Sequence, residues 1–281
     1  AGHTWRRPRN RSSRKHDVVN HTLPQCFLGL EKLSFSSKHP TIIACPSGAF
    51  FQEPLADLGF DWLVCDMEHG PFGPETYHFM AQAMLYNRVG CMPMARIPWN
   101  DLIWAKKALD AGATGLVIPR VETAEMARES IRITKYPPVG ERGAGPRMAA
   151  FRDPDYFSTA NDETLVVVMI ETRKGLKNID EIFGVEGVDA CFVGPSDFTL
   201  DMGIHRQYTH PEFIAALDRI VEAGEEHGIA PGMHCTTGPG PTNINDAIER
   251  GFRFCAVDSD VGFLRAAASG ALKNIKGWTH L

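Results

Sequence analysis

The chain has little of what would place it in several large protein classes. Its seven cysteines (26, 45, 65, 91, 191, 235 and 255) contain no CxxC pair. At 281 residues and 31.0 kDa it can bury a large core without disulfides or a structural metal. Four of the cysteines, Cys65, Cys91, Cys191 and Cys255, lie in apolar, strand-like runs. That is how free thiols serve as small core residues in a reducing compartment, so a cytoplasmic location is expected. No apolar run reaches the ~18 residues of a membrane-spanning helix. A net charge of −5 argues against a nucleic-acid surface as the main business of the chain.

The balance of charge reverses only at the N-terminus. "RRPRNRSSRKH" packs six Arg or Lys residues between Arg6 and Lys15, with almost no apolar residue among them. A basic arm for an acidic partner and a targeting remnant are both compatible with it. The expected reading is a disordered segment over residues 1–22, leaving 23–281 as a single folded domain.

What the chain does have is regular. Eight short apolar runs, rich in β-branched residues, are each followed by a polar or Gly/Pro turn: 41–47, 60–66, 91–97, 115–121, 165–171, 189–194, 229–235 and 252–258. Pro93 interrupts the third. Between them lie amphipathic segments at 101–112, 123–134, 175–184 and 210–228. Thr123 is placed to cap a helix, and Gly112 and Gly228 to end one. Strands that read as continuous apolar runs are those buried on both faces of a parallel sheet. Eight β/α alternations in about 235 residues predict a (β/α)8 TIM barrel in one domain, rather than an open doubly wound sheet. Residues 136–163 form too long a connection for an ordinary βα loop, which suggests a functional loop or lid.

In such barrels chemistry sits at the C-terminal ends of the strands. Strand 2 ends in Asp66, Glu68 and His69, strand 3 in Arg96, strand 5 in Glu171, and strand 6 leads into Gly194, Pro195, Ser196 and Asp197. Two carboxylates facing one cavity repel unless a cation lies between them. Oxygen-only ligands favour a hard ion, Mg²⁺ or Mn²⁺. Each acid also has a structural use, Asp197 as a helix cap and Glu171 as a partner of Arg173. Arg96 suits a substrate carboxylate or a structural acid. His69 is a candidate general base, or a solvated turn residue, with Asp66 or Asp110 available to orient its ring. The glycines of "GERGAGPR" (140–147) permit either a close approach to a ligand or a flexible turn.

Six strings in order, "GFDWLVCDMEHGP", "ARIPWND", "KALDAGATGLVIPRVETAEMARE", "KYPPVGERGAG", "IETRKGLKNIDEI" and "VEGVDACFVGPSDFTLDMG", resemble the HpcH/HpaI family of class II, pyruvate-dependent aldolases, over about residues 40–265. The resemblance implies a metal-dependent carbon–carbon lyase. Glu171 and Asp197 match the two metal ligands, His69 the general base, Asp110 the acid that orients it, and Arg96 the arginine at the substrate's keto and carboxylate oxygens. Asp66, Gly194, Pro195 and Ser196 belong to the same rim. A homo-oligomer, often a hexamer exchanging the last helix (260–275 here), is also implied, with a small 2-oxo acid as partner and no nucleic acid or membrane.

The implied reaction is retro-aldol cleavage of a 4-hydroxy-2-oxo acid to pyruvate and an aldehyde. Three departures bear on it. Met169 stands where the family usually has Gln, "DFT" (Asp197, Phe198, Thr199) replaces "DLS", and the loop after "GERGAG" is shorter. They leave open an alternative in which oxaloacetate is decarboxylated and its enolate forms a new C–C bond, as in the fungal family member macrophomate synthase. A Schiff-base aldolase needs a lysine within a strand, and none of the eight candidates contains one. A non-catalytic, metabolite-binding barrel is the remaining alternative, but it predicts eroded rim residues, and all are present.

Overall fold

The computed structural model describes residues 41–45, 51–84, 90–146, 149–150, 154–236 and 238–276. The basic segment 1–22 lies outside the described residues.

All eight apolar runs become strands: β1 (Thr41–Cys45), β2 (Trp62–Asp66), β3 (Met92–Arg96), β4 (Gly115–Ile118), β5 (Leu165–Met169), β6 (Ala190–Phe192), β7 (Gly232–Cys235) and β8 (Phe254–Ser259). Every pairing is parallel, in the order β6-β5-β4-β3-β2-β1-β8-β7. The two ends meet through bridges at Ala190–Ala230 and Val193–Met233, closing the sheet on itself. Pro93 sits inside β3 without breaking it. It has no N–H to donate, but its carbonyl accepts from the Thr114 amide and hydroxyl, both at 2.8 Å.

The connections are helical: α1 (Gln52–Ala56), α2 (Pro74–Met84), α3 (Leu102–Ala111), α4 (Ala124–Thr134), α5 (Tyr156–Glu163), α6 (Arg173–Lys177), α7 (Ile179–Phe183), α8 (Pro195–Asp201), α9 (Pro211–His227), α10 (Ile244–Arg250) and α11 (Asp260–Lys273). The chain is therefore a (β/α)8 TIM barrel. Local chemistry sets the ends. The Thr123 hydroxyl accepts from Met126 N–H at the start of α4, and Asp101 accepts from Ile103 and Trp104 at the start of α3. Gly112 (φ 116°) and Gly228 (φ 71°) close α3 and α9 in conformations that a side chain would strain. The single helix expected at 175–184 is two short ones. Thr172 caps the first from Gly175 N–H, and the break falls at Asn178, whose amide reaches back to the Glu122 carbonyl.

The period of two along each strand divides the core. Leu63, Cys65, Val166, Val168, Met233 and Cys235 face the helical layer, while Trp62, Val64, Met94, Val167, Met169, Phe192 and Ala256 fill the barrel. Cys65, Cys91, Cys191 and Cys255 are buried free thiols, as expected. The described part of 136–163 is pinned down. Lys135 Nζ donates to the Asn161 and Thr164 carbonyls, and the Asn161 side chain holds both Tyr136 N–H and Tyr136 C=O. The described residues of this segment do not line the cavity described below, and residues 147–148 and 151–153 lie outside the described residues.

Candidate active site

Strand parity puts charge at the mouth of the barrel. Val64, Met94 and Met169 point inward, so Asp66, Arg96 and Glu171, two residues further on, enter the same space one layer up. There they meet a cavity of about 470 Å³ whose wall includes Asp66, His69, Arg96, Gly194, Asp197 and His234.

Arg96 organises one side. Its Nε and Nη2 donate to the two oxygens of Asp66 at 2.8 and 2.6 Å, and Nη1 lies 3.0 Å from Glu68. Burial pushes the Asp66 carboxyl up. The Arg96 hydrogen bonds and charge, with the Glu68 and His69 amides on the same carboxylate, bring it below its ordinary value. Two of the five guanidinium N–H groups stay free of these acids and available to a ligand. His69 is exposed at the edge of the cavity, its Nε2 3.9 Å from Glu68.

Glu171 is the buried acid of the site. One oxygen accepts from the Arg120 amide at 2.8 Å, and Arg120 adopts φ 50° to offer it. Burial first, then the charges of Glu68 and Asp197, push its pKa up to about 7 against the pull of that amide. The second oxygen looks across Gly194. A Cβ at Gly194 would stand 3.0 Å from Glu171 Oε2 and 3.8 Å from Asp197 Oδ2, so a glycine there leaves the gap between the two carboxylates open. Glu171 does not pair with Arg173, which binds Glu212 and the Met202 carbonyl. Nor does Asp197 cap α8, whose N-cap makes no side-chain hydrogen bond. Four carboxylates, Asp66, Glu68, Glu171 and Asp197, thus gather near one guanidinium, and burial first, with neighbouring carboxylates adding to it, raises Glu68 and Glu171. Such an arrangement fits a hard divalent cation between Glu171 and Asp197.

The candidates gathered on the cavity are Asp66, His69, Arg96, Gly194, Pro195, Ser196 and Asp197, with Glu171 bordering Gly194. Asp110 is not among them. It lies on α3, paired at 3.2 Å with a buried Arg142 that stacks on Tyr136. The direction in which α3 runs back over the outside of the barrel carries Asp110 away from His69 of its own chain. Glu68 is the carboxylate beside that histidine instead. The "GERGAG" loop goes with Asp110 and does not border the cavity. Of the three departures, Met169 lines the cavity; in "DFT" Phe198 packs outward on Phe213 and Thr199 turns its hydroxyl to the Pro195 carbonyl; and the shorter loop lies partly outside the described residues. Two further residues join the rim: Glu68, at the polar end of strand 2 beside Arg96 and His69, and His234, within β7, where inward parity is the signal in the sequence.

The family model for HpcH/HpaI aldolase/citrate lyase matches residues 49–267, the span that carries this rim. The chain belongs to the HpcH/HpaI family. It is 39% identical over 226 residues to the 4-hydroxy-2-oxo-heptane-1,7-dioate aldolase of Escherichia coli, covering 79% of this chain and 84% of that protein. Among solved structures it resembles an HpcH/HpaI aldolase/citrate lyase family protein from Burkholderia cenocepacia J2315 (TM-score 0.82, 30% identity, 89% of this chain and 99% of that one). It also resembles macrophomate synthase (TM-score 0.72, 26% identity, 88% of this chain and 85% of that one). Like other HpcH/HpaI proteins with aldolase names, this chain is a carbon–carbon lyase.

Proposed function

We propose that the chain cleaves a 4-hydroxy-2-oxo acid to pyruvate and an aldehyde, using a divalent cation, Mg²⁺ or Mn²⁺, held by Glu171 and Asp197. The observation that carries this reading is the pair of carboxylate oxygens, Glu171 Oε2 and Asp197 Oδ2, that approach one point over Gly194, beside the cavity lined by Asp197, Arg96 and His69. The cation supplies Lewis-acid polarisation of the 2-oxo group. The free N–H groups of Arg96 bind the carboxylate and keto oxygens of the substrate, while Asp66 and Glu68 fix the plane of the guanidinium. His69, through a water, takes the proton of the 4-hydroxyl. The C4–O bond becomes the aldehyde carbonyl, and the C3–C4 electron pair passes into the pyruvate enolate. Protonation at C3 completes pyruvate.

The same Glu171–Asp197–Arg96 set would serve oxaloacetate decarboxylation, in which CO₂ leaves C3 and His69 has no hydroxyl to deprotonate. The likeness to macrophomate synthase and the apolar Met169 in the cavity wall favour keeping this second reading. The decisive test follows exchange of pyruvate methyl protons in D₂O by NMR, with and without EDTA. Metal-dependent exchange is expected, and its absence under every divalent ion tried would sink the enolate mechanism. Oxaloacetate assayed against a panel of 4-hydroxy-2-oxo acids chooses between the two reactions.

A homo-oligomer, with a hexamer as the form the resemblance implies, goes with this reading. The exposed Val261 and Leu264 of α11 support it as a packing surface, and light scattering after size exclusion tests it. Among the described residues no helix is long and apolar enough to cross a membrane. A cytoplasmic location rests on the buried free thiols.

A further inference from the structure

Arg120 is one of three residues other than glycine with a left-handed backbone among the described residues, at φ 50°. It lies two residues past β4, where the chain turns toward α4. A side chain raises the energy of that conformation, so it persists only where the surroundings over-determine it. They do so here. Val121 N–H donates to the Met169 carbonyl at 3.1 Å. The Arg120 guanidinium reaches one Glu122 oxygen at 3.5 Å, and Lys174 holds the other at 3.2 Å. Asn178 donates to the Glu122 carbonyl at 2.8 Å. Gly175 lets the start of α6 approach the turn, since a Cβ there would stand 3.0 Å from the Val121 carbonyl oxygen.

These contacts join the turn after β4 to the start of α6, and Glu171 lies between the two. What the strained residue delivers is its amide. Arg120 N–H donates to Glu171 Oε1 at 2.8 Å, the one hydrogen bond that Glu171 accepts among the described residues. With φ in the ordinary negative range that N–H would turn away, leaving a buried carboxylate free to rotate. Tied at Oε1, Glu171 keeps Oε2 over Gly194, at the point that Asp197 Oδ2 also approaches. The Arg120 side chain is half-exposed, is occupied with Glu122 and does not line the cavity.

We propose that Arg120 is a positioning residue for the cation site, acting through its left-handed backbone amide rather than through its guanidinium. The amide fixes the rotation of Glu171 so that Oε2 meets the cation beside Asp197. The inference rests on the reading of Glu171 and Asp197 as cation ligands, and it names what holds the first of them in place.

The test titrates Mn²⁺ into the metal-free full chain by calorimetry, with circular dichroism to show folding. Arg120→Gly, Arg120→Asn, Arg120→Ala and Arg120→Val remove the same charge but differ in how readily they take a positive φ. Arg120→Gly and Arg120→Asn are expected to bind Mn²⁺ within about threefold of each other. Relative to Arg120→Asn, Arg120→Ala should bind about threefold and Arg120→Val about tenfold more weakly. In a Glu171→Gln background the gap between Arg120→Asn and Arg120→Val should close to within about twofold, because no anionic oxygen is left to aim. Thr123→Ala loosens the neighbouring cap and controls for lost stability: its Tm falls while its Mn²⁺ affinity stays within about twofold of wild type. Equal affinities across the Arg120 series, a gap that survives in Glu171→Gln, or a loss in Thr123→Ala as large as in Arg120→Val would overturn the proposal. If Arg120→Val does not fold, Arg120→Ala against Arg120→Asn decides it. No Mn²⁺ binding by the wild-type chain would instead be a failure of the cation reading, seen before any variant is made.

Discussion

Arg96 is held by two acids at once, and that shapes what single substitutions will do. Asp66 sits below its ordinary carboxylate range in the folded chain. The unfolded chain therefore binds the proton more readily, and the pair contributes stability above the ordinary Asp value that is lost as pH falls through it and below. Asp66→Asn is expected to cost about 2 kcal/mol near pH 7, since it leaves a largely buried guanidinium with one partner fewer. It should also flatten the fall in Tm between pH 5 and 3 in thermal unfolding. Glu171→Gln and Asp197→Asn would each remove one of the proposed cation ligands. Both variants should fold, show Mn²⁺ binding weakened by tenfold or more in calorimetry, and lose at least about a hundredfold in kcat. Activity intact in either would refute the ligand assignment. At this scale Arg96, Glu171, Asp197 and His69 were legible because each follows an apolar strand at its C-terminal end. The pairing of Asp110 with Arg142 was not, because it depends on where a helix surface lands after the chain folds back.

Among the elements, the β6–α8 junction does the most with the least. Gly194 keeps the two carboxylates apart by having no side chain, and Pro195 starts α8 at once, bringing Asp197 round in its first turn. Gly194→Ala places a methyl 3.0 Å from Glu171 Oε2 and 3.3 Å from Met169 Cε. The expected outcome is a folded protein with Mn²⁺ affinity reduced by about tenfold or more, read by calorimetry beside circular dichroism. Thr123→Ala removes the cap of α4 far from the cavity. It should cost about 1 kcal/mol and lower Tm by roughly 2–4 °C, with pyruvate exchange unaltered. The strands and the caps were readable from local chemistry. The break between α6 and α7 was not, because Asn178 is drawn to the Glu122 carbonyl in the loop before α4, 56 residues away along the chain.

For the whole molecule, closure between β6 and β7 brings the ends of the barrel together and turns eight separate strand termini into one cavity. In the proposed reaction cation and 2-oxo acid share that space, so their binding should be coupled. Mn²⁺ with pyruvate is expected to raise Tm by more than the sum of the two separate shifts in thermal unfolding. Strictly additive shifts would place pyruvate away from the cation.

The sequence by itself determined the eight parallel strands, the mouth at which chemistry gathers, and the acids, arginine and histidine delivered there. Those follow from apolar runs, a period of two and the rule that barrel chemistry sits at strand C-termini, all of which are local or topological. Only the tertiary structure decided which neighbours each group has. It set Glu68 beside His69 and Arg142 beside Asp110, directed Phe198 and Thr199 away from the cavity, and placed His234 on the cavity wall. Pair distances across a barrel depend on strand register, tilt and closure, and those are properties of the folded chain rather than of any one stretch of it.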